Sequence, residues 1–258
     1  MRPNGSQPRT VSFGGSVPPV VKALLLANAA VFTFQLLAES LAKTRLDQIF
    51  GLIPYDVTHH FFLWQLASYL FLHGGIFHLA LNMIALWMFG GELEETWGSE
   101  RFARFYFVTG IGAGLCSVLA GWNSYIPIIG ASGAIYGLLA AYGILFPDRT
   151  LLLYFVVPIK AKWFVLILGL ITFWSSLASS GSGVAHVAHL GGMLFGWLYL
   201  RGWRGLPWFG GGSGGRGPGF KLPSWKEWQE SRRQSKLRKQ FRVYYRDTRG
   251  DDAGKDDP

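Results

Sequence analysis

The chain has 258 residues, of which 50% are hydrophobic and 15% charged. A soluble domain carries about a quarter charged residues, so composition argues against an ordinary soluble globular protein, and a single cysteine excludes a disulfide framework or a cysteine metal site. The net charge of +9 is uneven: from Arg201 onward there are 14 Lys/Arg against 7 Asp/Glu, which is +7 of the total, so the basic character belongs to a tail and does not call for nucleic acid.

Six apolar segments follow one another at 20–38, 77–91, 103–121, 131–146, 151–176 and 184–202. They predict an all-α polytopic membrane protein with a six-helix bundle. The first, around "ALLLANAAVFTFQLL" (23–37), reads as an uncleaved span rather than a signal peptide, because more spans follow and no clean cleavage site does. The connection at 39–76 is long enough for structure of its own. Its "FFLWQLASYLFLH" (61–73) reads as an interfacial amphipathic piece rich in aromatics. The fifth segment contains Pro158, Lys160 and Lys162, which moves the expected start of its span to about Trp163.

Basic residues set the expected orientation. Arg2, Arg9 and Lys22 lie at the N-terminal side, Arg101 and Arg104 after the second span, and Arg149, Lys160 and Lys162 after the fourth. The loops at 122–130 and 177–185 have no Lys or Arg. Both termini are therefore expected in the cytoplasm, with the 39–76 connection external. Three parts follow: a tail at 1–19, a membrane domain at 20–202, and a basic tail at 203–258. That last tail opens on the flexible "GGGSGGRGPG" (210–219) and continues in a basic segment at 224–245, suited to anionic lipid. No organelle-targeting pattern is evident, which points to a plasma membrane.

Polar residues inside spans are costly and tend to face one another or a wet cavity. Here they share one depth. Ser132 opens the fourth span, His78 and Asn82 open the second, and His186 and His189 open the sixth, all near the external face. Taken singly, each has a plain structural reading. Ser132 with Gly133 and Gly137 makes a helix-packing face, and His78 with Asn82 makes an interhelical hydrogen-bonding pair. Together they form a chemical set. A serine hydroxyl needs a base, ordinarily His. A tetrahedral oxyanion needs donors, which a helix N-terminus, Asn82 and His78 supply. No carboxylate lies in the outer halves of the spans, so a Ser–His dyad is expected unless Asp47 or Asp56 folds in from the 39–76 connection.

"GASGAIYG" (130–137), "HGGIFHLALNM" (73–83) and "AHVAHLGGMLFG" (185–196) resemble the three signatures of rhomboid intramembrane serine proteases: GxSG, a His followed four residues later by Asn, and AHxxGxxxG. The resemblance covers about residues 20–202. It implies an intramembrane serine endopeptidase that cuts single-span or polytopic membrane protein substrates near the external face, without cofactor or metal. It assigns Ser132 as nucleophile and His78, Asn82 and the Ser132 N–H as the oxyanion site. It sets Tyr136 against the catalytic His ring, gives Gly130 and Gly133 to the serine motif, uses Glu94 to hold the cytoplasmic end together, and gives His73 a structural role. The last motif fits Ala188, His189, Gly192 and Gly196. Shifted to His186 it demands glycine at 189, so His189 is the expected base and His186 an outer-loop or substrate-side residue. The Ser/Gly-rich "SSLASSGSG" (175–183) is expected to act as a lid. A metalloprotease would need His-Glu-x-x-His, which is absent, and a His-lined transporter would need more acidic residues within the spans.

Overall fold

The computed structural model describes residues 17–153, 157–178 and 183–201. The expectations for the N-terminal tail up to residue 16, for part of the 175–183 stretch, and for the linker and basic segment beyond 201 lie outside the described residues. The helices are α1 (Pro19–Ala42), the short α2 (Leu46–Phe50), α3 (Pro54–His59) and α4 (Gln65–Ser68), then α5 (Ile76–Ala85), α6 (Gly91–Trp97), α7 (Ser99–Ala120), α8 (Ser132–Leu145), α9 (Ala161–Ala178) and α10 (Gly183–Arg201). A 3₁₀ turn at Tyr69–Phe71 follows α4, and a π turn at Leu86–Gly90 joins α5 to α6. The strands β1 (Thr150–Leu153) and β2 (Val157–Lys160) form an antiparallel hairpin between α8 and α9.

Among the described residues, three helical stretches are long and apolar enough to cross a membrane: α1, the continuous run Ile76–Trp97, and α7. The core is apolar, but many large apolar side chains also face outward and several polar ones are buried. Leu41, Phe77, Leu81, Leu119 and Trp174 are exposed, whereas Asn28, Gln65, Thr109, Ser117 and Glu94 are buried. Apolar side chains turned outward suit hydrocarbon, and polar ones turned inward find partners. On α1 the buried residues are Val21, Leu24, Asn28 and Phe32, one stripe at helical spacing. The N-terminal part of the 61–73 stretch, Phe61, Leu63 and Trp64, is exposed, but Gln65, Tyr69, Leu70 and Leu72 plug into the core. That piece is therefore only half interfacial.

Two expected boundaries move for identifiable reasons. The second segment does not end at 91. Its helix runs on to Trp97, because Glu92, Glu94 and Glu95 end the apolar stretch without breaking the helix. The fifth begins at Ala161, since Pro158 sits in β2 opposite Leu152 and the preceding apolar residues form the hairpin.

Helices in lipid gain little from hydrophobic attraction to each other, so close approach through small residues holds them together. In this fold α8 is largely buried and packs on both α7 and α10, which also pack directly on each other. A Cβ on Gly192 of α10 would stand 1.9 Å from the Gly133 carbonyl oxygen, and one on Gly196 would stand 2.9 Å from that of Gly137. Toward α7, a Cβ on Gly133 would meet Ala113 at 2.7 Å, and one on Gly137 would meet Thr109 at 2.6 Å. With 14 residues, α8 rises about 21 Å, short of the about 30 Å of a bilayer's hydrocarbon core.

Glu94 locks the far end of the bundle. Its buried carboxylate accepts the N–H of Val20 at 2.9 Å and of Val21 at 2.8 Å, and the Ser99 hydroxyl at 2.6 Å. The first N–H groups of a helix have no partner of their own, and α1 has no local side-chain cap. Glu94 thus caps α1 from a distant helix, with its charge aligned to the α1 dipole. Nearby, Glu92 pairs with Arg149 and accepts the Tyr142 hydroxyl at 2.7 Å, tying α6, α8 and the hairpin approach together. Replacing Glu94 by Gln leaves one acceptor for three donors and is expected to cost about 2–3 kcal/mol of stability, read as a lower unfolding midpoint in detergent.

Candidate active site

The recessed N-terminus of α8 is built by its approach loop. Leu52 and Ile128 exchange both backbone hydrogen bonds at 2.9 Å, Tyr55 N–H reaches the Ser124 carbonyl at 3.0 Å, and Tyr55 stacks on Tyr125 at 4.2 Å. Gly130 N–H then donates to the Tyr69 carbonyl at 2.9 Å, while the Tyr69 hydroxyl donates to the Gly110 carbonyl of α7 at 2.7 Å. Gly130 has φ +124°, and a Cβ there would lie 2.8 Å from Cε1 and Nε2 of His78. Only glycine satisfies both the conformation and the space. The chain turns at this point into α8, whose first residue is Ser132.

No side chain caps α8. The cap position is held by Ala131, and the Ser132 hydroxyl lies 2.8 Å from Nε2 of His189. The His189 ring is stacked on Tyr136 with centroids 4.2 Å apart and planes 3° from parallel. Tyr136 is four residues after Ser132, on the same face of α8. The glycine contacts between α8 and α10 set the distance across which serine and histidine meet. His186 lies to the side, its ring centroid 6.3 Å from that of His189 and nearly perpendicular to it.

His78 reaches the serine loop from α5, where its ring lies beside Gly130. Gly74 N–H donates to His78 Nδ1 at 3.4 Å, which leaves Nε2 as the protonated nitrogen and turns it toward Gly130. Asn82 is buried and gives one amide N–H to the His78 carbonyl at 2.9 Å. His73 is buried beside His78, with Nδ1 3.3 Å from the Phe71 carbonyl and its backbone paired to the Gln35 amide. Burial, and then the neighbouring His78, hold its pKa down to about 4, so it stays neutral at physiological pH.

Neither loop carboxylate is paired with Ser132 or His189. Asp47 pairs with Arg45 at 2.7 Å, and Asp56 with His60 at 3.1 Å. Sequence reasoning did not single out Tyr69, whose carbonyl fixes the serine loop, or Thr172 of α9, whose hydroxyl lies 3.3 Å from that of Tyr136. The Tyr69 contribution is a backbone group and has no signature. Thr172 was visible as a polar residue within the apolar run "LILGLITFW" (166–174).

Residues 60–204 match the family profile described as the Rhomboid domain. The chain belongs to the rhomboid family. Among relatives of this rhomboid, Rhomboid protein 1, mitochondrial, of Saccharomyces cerevisiae is 36% identical over 144 residues, covering 52% of this chain and 39% of that protein. Rhomboid protease GluP of Bacillus subtilis is 44% identical over 78 residues, covering 30% of this chain and 15% of that protein. The presenilin-associated rhomboid-like protein, mitochondrial, of Mus musculus is 33% identical over 142 residues, covering 50% and 35%. The rhomboid chain spans well under half the length of each of these relatives. Its membership and its apolar helices make it a membrane-embedded, multi-pass protein.

Proposed function

We propose that this rhomboid is a six-span intramembrane serine endopeptidase whose domain covers residues 20–202. One observation carries the reading: a histidine nitrogen stands 2.8 Å from a serine hydroxyl at the uncapped N-terminus of a helix too short to fill a bilayer. His189 takes the proton of Ser132 as the hydroxyl oxygen attacks the scissile carbonyl. The Ser132 N–H, His78 Nε2–H and the second amide N–H of Asn82 receive the oxyanion, and the α8 dipole favours its charge. His189 then gives the proton to the leaving amine, and water, activated by the same imidazole, releases the acyl group. No cofactor or metal takes part.

The substrates are single-span or polytopic membrane proteins. A helical peptide bond is shielded by its own hydrogen bonds, so helix-breaking residues at the cut site favour cleavage, and the unwound segment is held by strand-like pairing. The distribution of Lys and Arg supports both termini on the cytoplasmic side, with the site on the opposite side and the basic tail against anionic lipid, and the lack of an evident organelle-targeting pattern supports a plasma membrane. The test is reconstitution in liposomes with a model single-span substrate and, in parallel, labelling with a fluorophosphonate. Wild type should cut and label, and Ser132→Ala should do neither. His186→Ala should retain cleavage. A wild type that binds substrate and neither cuts nor labels would replace the enzyme with a membrane-protein-binding relative.

A further inference from the structure

A histidine acting as base needs its ring held at a fixed tilt, and serine hydrolases commonly use a carboxylate for this. Asp47 and Asp56 are committed to Arg45 and His60, and the orientation of His189 rests on the Tyr136 ring. A stacked ring on its own resists tilting but slides easily. What holds Tyr136 is at its far end. Its hydroxyl lies 3.3 Å from Oγ1 of Thr172, and Thr172 Oγ1 lies 2.8 Å from the Leu168 carbonyl. Threonine has one hydroxyl proton. That proton goes to the nearer carbonyl, so the Tyr136 O–H donates to the threonine oxygen.

The surroundings make this contact a committed one. Leu170, Ile171, Phe173 and Trp174 of α9 are all exposed, while Thr172 between them is buried at 3% exposure. Its proton is met by the Leu168 carbonyl of its own helix, so facing inward leaves the threonine oxygen free to accept from Tyr136.

We infer that Thr172 is a positioning residue for His189. It fixes the Tyr136 hydroxyl, Tyr136 fixes the imidazole plane, and α9 thereby fills the place that a carboxylate fills in a triad. The inference rests on the serine-protease reading for its catalytic consequence, and on geometry alone for the link itself.

The experiment compares Thr172→Val, Thr172→Ser, Tyr136→Phe and the Thr172→Val/Tyr136→Phe double variant by two readouts. The first is kcat and KM on the single-span substrate in liposomes. The second is the ring-proton shift of His189 in histidine-labelled protein in micelles, which the stacked Tyr136 ring moves upfield and which needs no activity. Thr172→Val should lower kcat about fivefold, the scale of one neutral hydrogen bond, with KM unchanged. Thr172→Ser should restore kcat to within about twofold, and the double variant should fall no lower than either single one. The His189 ring protons should lose their upfield shift in Thr172→Val and keep it in Thr172→Ser. Losses that multiply in the double variant, or an unmoved His189 ring in Thr172→Val, would overturn the link. A wild type that cuts nothing sinks the protease reading instead, while the ring shifts still decide whether Thr172 holds the stack.

Discussion

Ser132→Ala and His189→Ala should each lower kcat by about 10⁴-fold or more, and the double variant should be no slower than either alone. In the proposed mechanism the two side chains act as one unit. Without the imidazole 2.8 Å away, the hydroxyl keeps its proton and attacks as weakly as any alcohol. Without the hydroxyl, the imidazole has no nucleophile to deprotonate. KM should change little, because neither group is assigned to hold the substrate away from the reacting carbonyl. Steady-state kinetics on reconstituted protein measures all three variants together. Multiplicative losses would mean that the serine and the histidine contribute through separate routes, which would defeat the dyad. Residual activity in every variant should come from the oxyanion donors, His78, Asn82 and the α8 N-terminus.

Gly192→Ala should lower kcat by about 10²-fold, although the residue touches no reacting atom. An added methyl would sit 1.9 Å from the Gly133 carbonyl oxygen, so α10 must move off α8 by more than an ångström. His189 lies one turn before Gly192 on α10, and Ser132 directly precedes Gly133 on α8. The displacement is therefore delivered straight to the serine–histidine distance, and a misplacement of about 1 Å costs about 10²-fold. Overpacking should also remove about 1–3 kcal/mol of stability. Gly91→Ala is the control, since its nearest added contact is Pro18 at 4.0 Å. It should leave both midpoint and rate near wild type. Thermal unfolding together with kcat separates the cases: a Gly192→Ala protein with an unaltered rate would show that helix spacing is not what sets the dyad.

The chemistry-bearing residues were legible because the membrane makes polar side chains conspicuous. Ser132, His78, Asn82, His186 and His189 stand out against apolar runs, and their equal depth follows from the span order. The choice of His189 over His186 came from glycine spacing, and the close approach of Gly192 to Gly133 is the packing that this spacing encodes. Other features left little trace. The hairpin at 150–160 is hidden because its apolar residues resemble the span that follows them. The continuation of the second span through Glu94 is hidden because charge signals the end of hydrocarbon and not the end of a helix. The fixing of the serine loop by the Leu52 and Tyr69 backbone groups is illegible in principle, since every residue has the same carbonyl.

The cap on α1 has a consequence for biosynthesis. Glu94 comes 74 residues after Val20, whose N–H it accepts. A ribosome adding about 5–20 residues per second needs about 4–15 s to cover that distance. The first span is therefore made first and capped late: through that interval its leading N–H groups lack the Glu94 carboxylate and turn to water or lipid headgroups.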